Sequence, residues 1–151
     1  MKKTVLIIIA IIAGFAVNAQ SKNEYNQALG IKILDGGGIT YKKFVTTNNA
    51  IEGIAFFWKQ GMRVTGLYEF HKDIPNANGL QYYYGPGAHL GFYNKENGNG
   101  DFMGIDGVLG LDYKFEGIPV NISLDWQPAI EFASDHNFYA GWGGLALRYT
   151  F

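Results

Sequence analysis

The chain has 151 residues, with 12 Lys and Arg against 13 Asp and Glu, no Cys, and only 17% charged residues. That length suits one domain, and the absence of Cys excludes disulfides, thiolate metal sites and the cysteine-bearing signal of bacterial lipoproteins. The charged fraction lies below the roughly 25% of ordinary soluble domains, and no basic block is present, which argues against nucleic acid as a partner.

Met1-Lys2-Lys3 is a basic start, followed by an apolar run from Val5 to Val17 and the small residue Ala19. The run is too short to cross a bilayer core of ~30 Å as a helix. It reads as a signal peptide over residues 1–19, cleaved after Ala19, which leaves residues 20–151 as the mature domain. Without Lys2 and Lys3 the mature chain has ten basic and thirteen acidic residues, a net charge of −3.

From Gln27 the sequence breaks into short alternating runs separated by turn residues, with no helical spacing of useful length. Gln27 to Leu34 sets Leu29, Ile31 and Ile33 against Ala28, Gly30 and Lys32. Asp35-Gly36-Gly37 is a tight-turn signal. Gly38 to Phe44 alternates Ile39 and Tyr41 with Thr40 and Lys42, and Thr46 to Asn49 turns again. Ala50 to Lys59 is ambiguous, because Ile54-Ala55-Phe56-Phe57-Trp58 is apolar on both faces. Met62 to His71 places Met62, Val64, Tyr68 and Phe70 opposite Arg63, Thr65, Leu67, Glu69 and His71. After the loop from Asp73 to Gly79, Leu80 to Asn94 forms a fifth run, in which Gly85-Pro86-Gly87 predicts a bulge or kink because proline cannot donate to a ladder.

A polar loop over Lys95 to Gly100 precedes the sixth run, Asp101 to Phe115, and Glu116 to Pro119 turns into the seventh, Val120 to Ala133. There Val120, Ile122, Leu124, Trp126, Pro128, Ile130 and Phe132 oppose Asn121, Ser123, Asp125, Gln127, Ala129 and Glu131. The last run, Phe138 to Phe151, keeps Tyr139, Leu145, Leu147, Tyr149 and Phe151 on one face and Trp142, Ala146, Arg148 and Thr150 on the other.

Eight such runs with short connections predict an all-β, eight-stranded antiparallel up-and-down transmembrane β-barrel. An even strand number puts both chain ends on one side. The strand ends on that side carry Tyr41, Phe44, Tyr68, Phe70, Tyr82, Tyr84, Tyr113, Phe115, Tyr149 and Phe151, an expected interfacial girdle of aromatic residues. A soluble eight-stranded barrel would need apolar residues inside, whereas here the face opposite each apolar stripe is too charged to fill a small core.

The segments ITYKKF (39–44), GLYEFH (66–71), YYYGPGAHLGFY (82–93), GIDGVLGLDYKF (104–115), PVNISLDWQP (119–128) and LALRYTF (145–151) resemble the small eight-stranded outer-membrane β-barrel family of Gram-negative bacteria, of the Bacteroidetes, OmpA/OmpX-like kind. The resemblance spans Gly30 to Phe151. It implies a cell outer-membrane location, outer-membrane lipids and the barrel-assembly machinery as partners, a monomer, and Tyr149 and Phe151 as the assembly signal. It implies no particular reaction.

On this register the inward face holds Lys32, Lys42, Arg63, Lys114 and Arg148 together with Glu52, Glu69, Asp106, Asp112, Asp125 and Glu131, with His71 and His89 among them. An eight-stranded barrel has room inside for side chains and little else, and buried charges must pair. The expected lumen is therefore a plugged, charge-paired network, with ion or small-solute transport as the minor alternative. Asp125 is expected to meet a cation, Arg148 first, with Lys114 and Lys32 as the others.

Ser134-Asp135-His136 is the one place where nucleophile, acid and base residue types adjoin. The lipid A acyltransferase and deacylase families place such groups at the rim of an eight-stranded barrel, so a lipid A-modifying enzyme is the alternative function. Three consecutive loop residues diverge, however, and a triad is recognised by geometry, so a polar hairpin is the expectation. The loop NKENGNGD (94–101) lacks the placement of a calcium loop, and the three histidines show no metal-ligand spacing. No metal or cofactor is expected.

Overall fold

The computed structural model describes residues 25–93, 100–132 and 136–151; residues 1–19, read as the signal, lie outside it. The described chain is all-β and contains no helix. Its strands are β1 (Gln27–Ile33), β2 (Gly37–Phe44), β3 (Asn49–Trp58), β4 (Gly61–Asp73), β5 (Leu80–Tyr93), β6 (Phe102–Lys114), β7 (Val120–Phe132) and β8 (His136–Thr150). Each pairs antiparallel with the next, and β1 pairs with β8, so the sheet closes on itself and leaves no edge. At the seam the backbone N–H of Gln27 donates to the carbonyl of Phe151 at 2.9 Å, and that of Phe151 donates back at 2.8 Å. The start of β1 and the end of β8 therefore lie at one end of the barrel, here the terminal end, and the turn between β3 and β4 lies at the other, the loop end.

Alternation sorts the side chains onto two faces. Large apolar residues on the outer face are bare: Ile31, Ile39, Ile51, Val64, Leu90, Ile105, Leu109, Leu124 and Leu147 are 45–58% exposed. Their neighbours in sequence turn inward, and the inside is mostly polar and charged. In β3, whose two faces look alike in sequence, Ala50, Glu52, Ile54 and Phe56 are buried while Ile51 and Phe57 are exposed. Pairing decides this, because Glu52 stands opposite Lys42 on β2 and the charged parity must share one interior.

Two expectations about backbone irregularity are corrected. At Pro86 the pairing of β5 with β4 lapses between Gly87 and Tyr84 but resumes in the same register, and its pairing with β6 runs through unbroken. The missing donor is tolerated there without a bulge. The register shift lies instead between Gln127 and Ala129 on β7, at Pro128. Beyond it Phe138 stands opposite outward Ile130 and Tyr139 opposite inward Ala129. The single alternation expected from Tyr139 to Phe151 is thus broken, and Tyr139 belongs with the barrel mouth.

Phe44 also departs from the expected girdle. It shares parity with Lys42 and is buried at the terminal end among Tyr25, Ala28 and Ala50, with the Tyr25 ring edge-on at 5.1 Å. The other aromatics of that end stay on the outer face and touch in pairs: Tyr68–Phe70 at 5.2 Å, Phe70–Tyr84 at 5.6 Å, Tyr113–Phe115 at 4.7 Å and Tyr149–Phe151 at 6.3 Å.

Candidate functional site: the filled lumen

The interior charges fall into three groups of ion pairs. Near the terminal end, the Lys42 ammonium on β2 lies 2.8 Å from Glu69, 3.2 Å from Asp112 and 3.6 Å from Glu52. All four side chains are essentially sealed from solvent. Asp112 also accepts hydrogen bonds from Asn121 at 2.6 Å and from the Tyr25 hydroxyl at 3.2 Å. Tyr25 precedes β1 and stoppers this end; burial and the Asp112 carboxylate push its phenol above the ordinary range, so it remains a donor. Glu69 in turn meets His71 Nε2 at 2.8 Å.

Arg148 on β8 joins this group from the far side. Its Nη2 lies 2.5 Å from Glu52 on β3, its Nε donates to Thr40 on β2 at 3.2 Å, and its Nη1 donates to Ser123 at 2.7 Å and Asn121 at 3.1 Å on β7. One guanidinium fork thus ties β2, β3 and β7 to β8. It can cross β1 because the residue beneath it is Gly30, which pairs with both Arg148 and Thr40.

The second group is Lys32 with Asp125, 2.6 Å apart. Asp125 also accepts from Tyr83 at 2.6 Å and from Gln127 at 2.9 Å. Arg148 was the expected partner; the structure corrects this to Lys32. On β8, Asp125 faces Gly144 and Lys32 faces Ala146, so nothing on that strand obstructs the lysine's reach from β1 to β7. Arg148 stands opposite Asn121, further along the barrel. Tyr83 reaches Asp125 in the same manner, crossing β6 at Gly110, whose Cβ position lies 2.5 Å from the tyrosine ring.

The third group sits nearer the loop end. Arg63 bonds Asp106 through Nη2, His89 Nδ1 lies 2.9 Å from Asp106, and His89 Nε2 lies 3.8 Å from Glu131. The guanidinium rests on the Trp142 ring at 4.3 Å. Among the described residues no ion pair joins this group to the other two. Buried Ile54, Phe56, Leu67 and Val108 cluster with Tyr83 between them.

Lys114 is the one expected lumen cation placed elsewhere. It occupies the last rung of the β6–β7 pairing, opposite Asn121. Its ammonium bends out to the turn, donating to the carbonyls of Phe115 at 2.6 Å and Ile118 at 2.8 Å. A long side chain at a strand end satisfies the loose carbonyls nearest it.

Of Ser134, Asp135 and His136, the first two lie outside the described residues. His136 is not a loop residue but opens β8, opposite Phe132. Six residues of the loop over 94–101 also lie outside. Among the described residues no three His, Asp or Glu side chains gather as a metal site.

The interior residues that sequence reasoning missed as partners are the neutral ones: Tyr25, Thr40, Tyr83, Asn121, Ser123 and Gln127. Except for Tyr25, which precedes the first strand, their inward parity is legible, but which charge each would serve depends on reach across the barrel. No family model matches this chain, and no curated protein or solved structure matches it.

Proposed function

We propose that the chain is a monomeric transmembrane barrel of the Gram-negative outer membrane, of the small family its sequence resembles, and that its role is non-enzymatic. It would contribute to the envelope structurally or through what its loop end presents. The observation that carries this reading is the inversion of the barrel. Ile, Leu, Val and Phe cover the outside, at about half exposure each, while Lys, Arg, Glu and Asp fill the inside. Water around such a surface would leave a continuous apolar patch far larger than the few hundred Å2 usual for soluble monomers.

The aromatic positions support the same medium. The outer face carries Tyr41, Tyr82, Tyr84 and Tyr113 toward the terminal end and Phe57, Phe92, Phe132 and Phe138 toward the loop end. On β5, ten residues separate Tyr82 from Phe92. That is ~33 Å along a strand, or about 25 Å of height at the usual tilt, close to the apolar band of outer-membrane barrels.

The filled interior favours structure over transport. Lys42 and Arg148 are held among Glu52, Glu69 and Asp112 in a closed network, and buried Ile54, Leu67 and Val108 add an apolar cluster to the bore. Removing one member of such a buried set leaves an uncompensated charge, and a permeant ion would have to displace these pairs.

The test is fractionation followed by gel mobility. The mature chain should appear in the outer-membrane fraction, lacking residues 1–19, and unboiled protein should run differently from boiled. Recovery as a water-soluble periplasmic protein would overturn the reading.

A further inference from the structure

The register shift at Pro128 has a consequence at the loop end of the barrel. By turning Tyr139 toward the mouth, it brings that ring to a cavity of about 240 Å3 shared with Leu34, Asp35, Phe56, Trp58 and Trp142. The rings are not stacked as a platform. Phe56 and Trp142 meet at 85° with centroids 6.4 Å apart, and Trp58 and Trp142 meet at 62° and 5.4 Å. They form walls at steep angles to one another. Asp35, in the exposed turn between β1 and β2, is the only charged residue among the described residues that line the cavity.

Ring faces carry the negative lobe of the aromatic quadrupole, so a space walled by four aromatic side chains suits a positive charge, most of all one that is weakly hydrated. A carboxylate at the rim adds to that preference. Of the charges below, Arg63 lies against the Trp142 indole but is bonded to Asp106, and Asp106 and Glu131 outnumber it. The volume is below the roughly 300–1,000 Å3 of pockets for drug-sized ligands, which limits the occupant to a head group.

We propose that this aromatic cage, Phe56, Trp58, Tyr139 and Trp142 with Asp35 at its rim, is a binding site for a small alkylated ammonium group. A sugar ring would need a flat ring platform, and the steep angles between Phe56, Trp58 and Trp142 offer none. The site lies at the loop end, and its chemistry does not depend on the medium around the barrel wall.

The full chain in maltoside micelles, whose head group is neutral, allows a direct test by tryptophan fluorescence titration at constant ionic strength. Choline chloride is the probe and sodium chloride the control. The neutral isostere 3,3-dimethylbutanol measures the contribution of charge. Choline should saturate and bind about tenfold more tightly than the isostere. Asp35→Asn and Tyr139→Ala, both at exposed positions that hold no part of the barrel core, should each weaken choline several-fold.

Addition of a phosphocholine-headed lipid to the micelles then distinguishes the source. Competition with choline assigns the site to a lipid head group, and no competition assigns it to a free cation. Equal binding of choline and its isostere, a saturable response to methyl glucoside without one to choline, or no saturable choline response would each overturn the proposal.

Discussion

Lys32 on β1 and Asp125 on β7 meet at 2.6 Å across an intervening strand, where β8 offers only Ala146 and Gly144 beneath the contact. The same construction recurs. Arg148 passes over Gly30 on β1 to reach Thr40 and Glu52, and Tyr83 passes over Gly110 on β6 to reach Asp125. In each case a long inward side chain crosses a neighbouring strand whose own residue is small, and links strands that share no backbone ladder; Arg148 goes one strand further, past β2 to Glu52 on β3. Small inward residues in this barrel are therefore crossing points, and they determine which charges can meet.

This predicts an order among variants of the Asp125 site. Lys32→Met leaves a buried carboxylate that still accepts from Tyr83 and Gln127, and should cost about 3 kcal/mol. Asp125→Ala strands a buried ammonium and two further donors, and should cost more, toward about 5 kcal/mol. Urea unfolding of the micelle-bound barrel, followed by its gel mobility, measures both. Equal and small effects would mean the pair contributes little to stability.

Crossing points should be intolerant of a methyl group and outer glycines tolerant. A Cβ on Gly30 would lie 2.0 Å from the Leu147 carbonyl oxygen, whereas one on Gly53 would meet nothing within 4 Å. Gly30→Ala is expected to lose about 1–3 kcal/mol or more, and Gly53→Ala to stay within about 0.5 kcal/mol of the parent. The same unfolding measurement separates them.

Phe151 closes the seam through its two backbone hydrogen bonds to Gln27 and lies beside Tyr149 on the outer face. Its deletion removes one residue of the proposed assembly signal and both bonds. Folded, membrane-inserted protein should fall while export across the inner membrane stays at the parent level. Phe151→Leu keeps the seam bonds, so a loss of insertion with that variant assigns the effect to the aromatic ring.

A closed lumen should not conduct. Single-channel recording of the barrel in planar bilayers is expected to show no steady conductance step, because Lys42, Tyr83, Ile54 and Leu67 occupy the bore. A reproducible step would favour the transport alternative.

Ser134→Ala and His136→Ala test the enzymatic alternative. The lipid A mass profile of cells carrying either variant should match that of cells carrying the parent chain. A changed profile would replace the non-enzymatic reading with a lipid-modifying one.

Local periodicity by itself determined the all-β class, the eight strands, their order and the face each residue takes over most of the barrel. Period-two alternation is a property of neighbouring residues, and each strand of Val, Ile, Leu and aromatic residues against Lys, Glu and Asp announces it without reference to any other. Legibility failed where two strands had to be compared. The pairing of Glu52 with Lys42 fixed the face of the two-sided β3, and the irregularity appeared at Pro128 rather than Pro86. Phe44 is different: it shares the parity of Lys42 on β2, so its inward place was legible within that strand, and the aromatic-girdle expectation misplaced it. The tertiary structure alone decided the pairing of the interior charges. Closure sets how far each strand is staggered against the next, and that stagger, with the small residues at Gly30, Gly110, Gly144 and Ala146, sets which long side chains can reach one another across the bore.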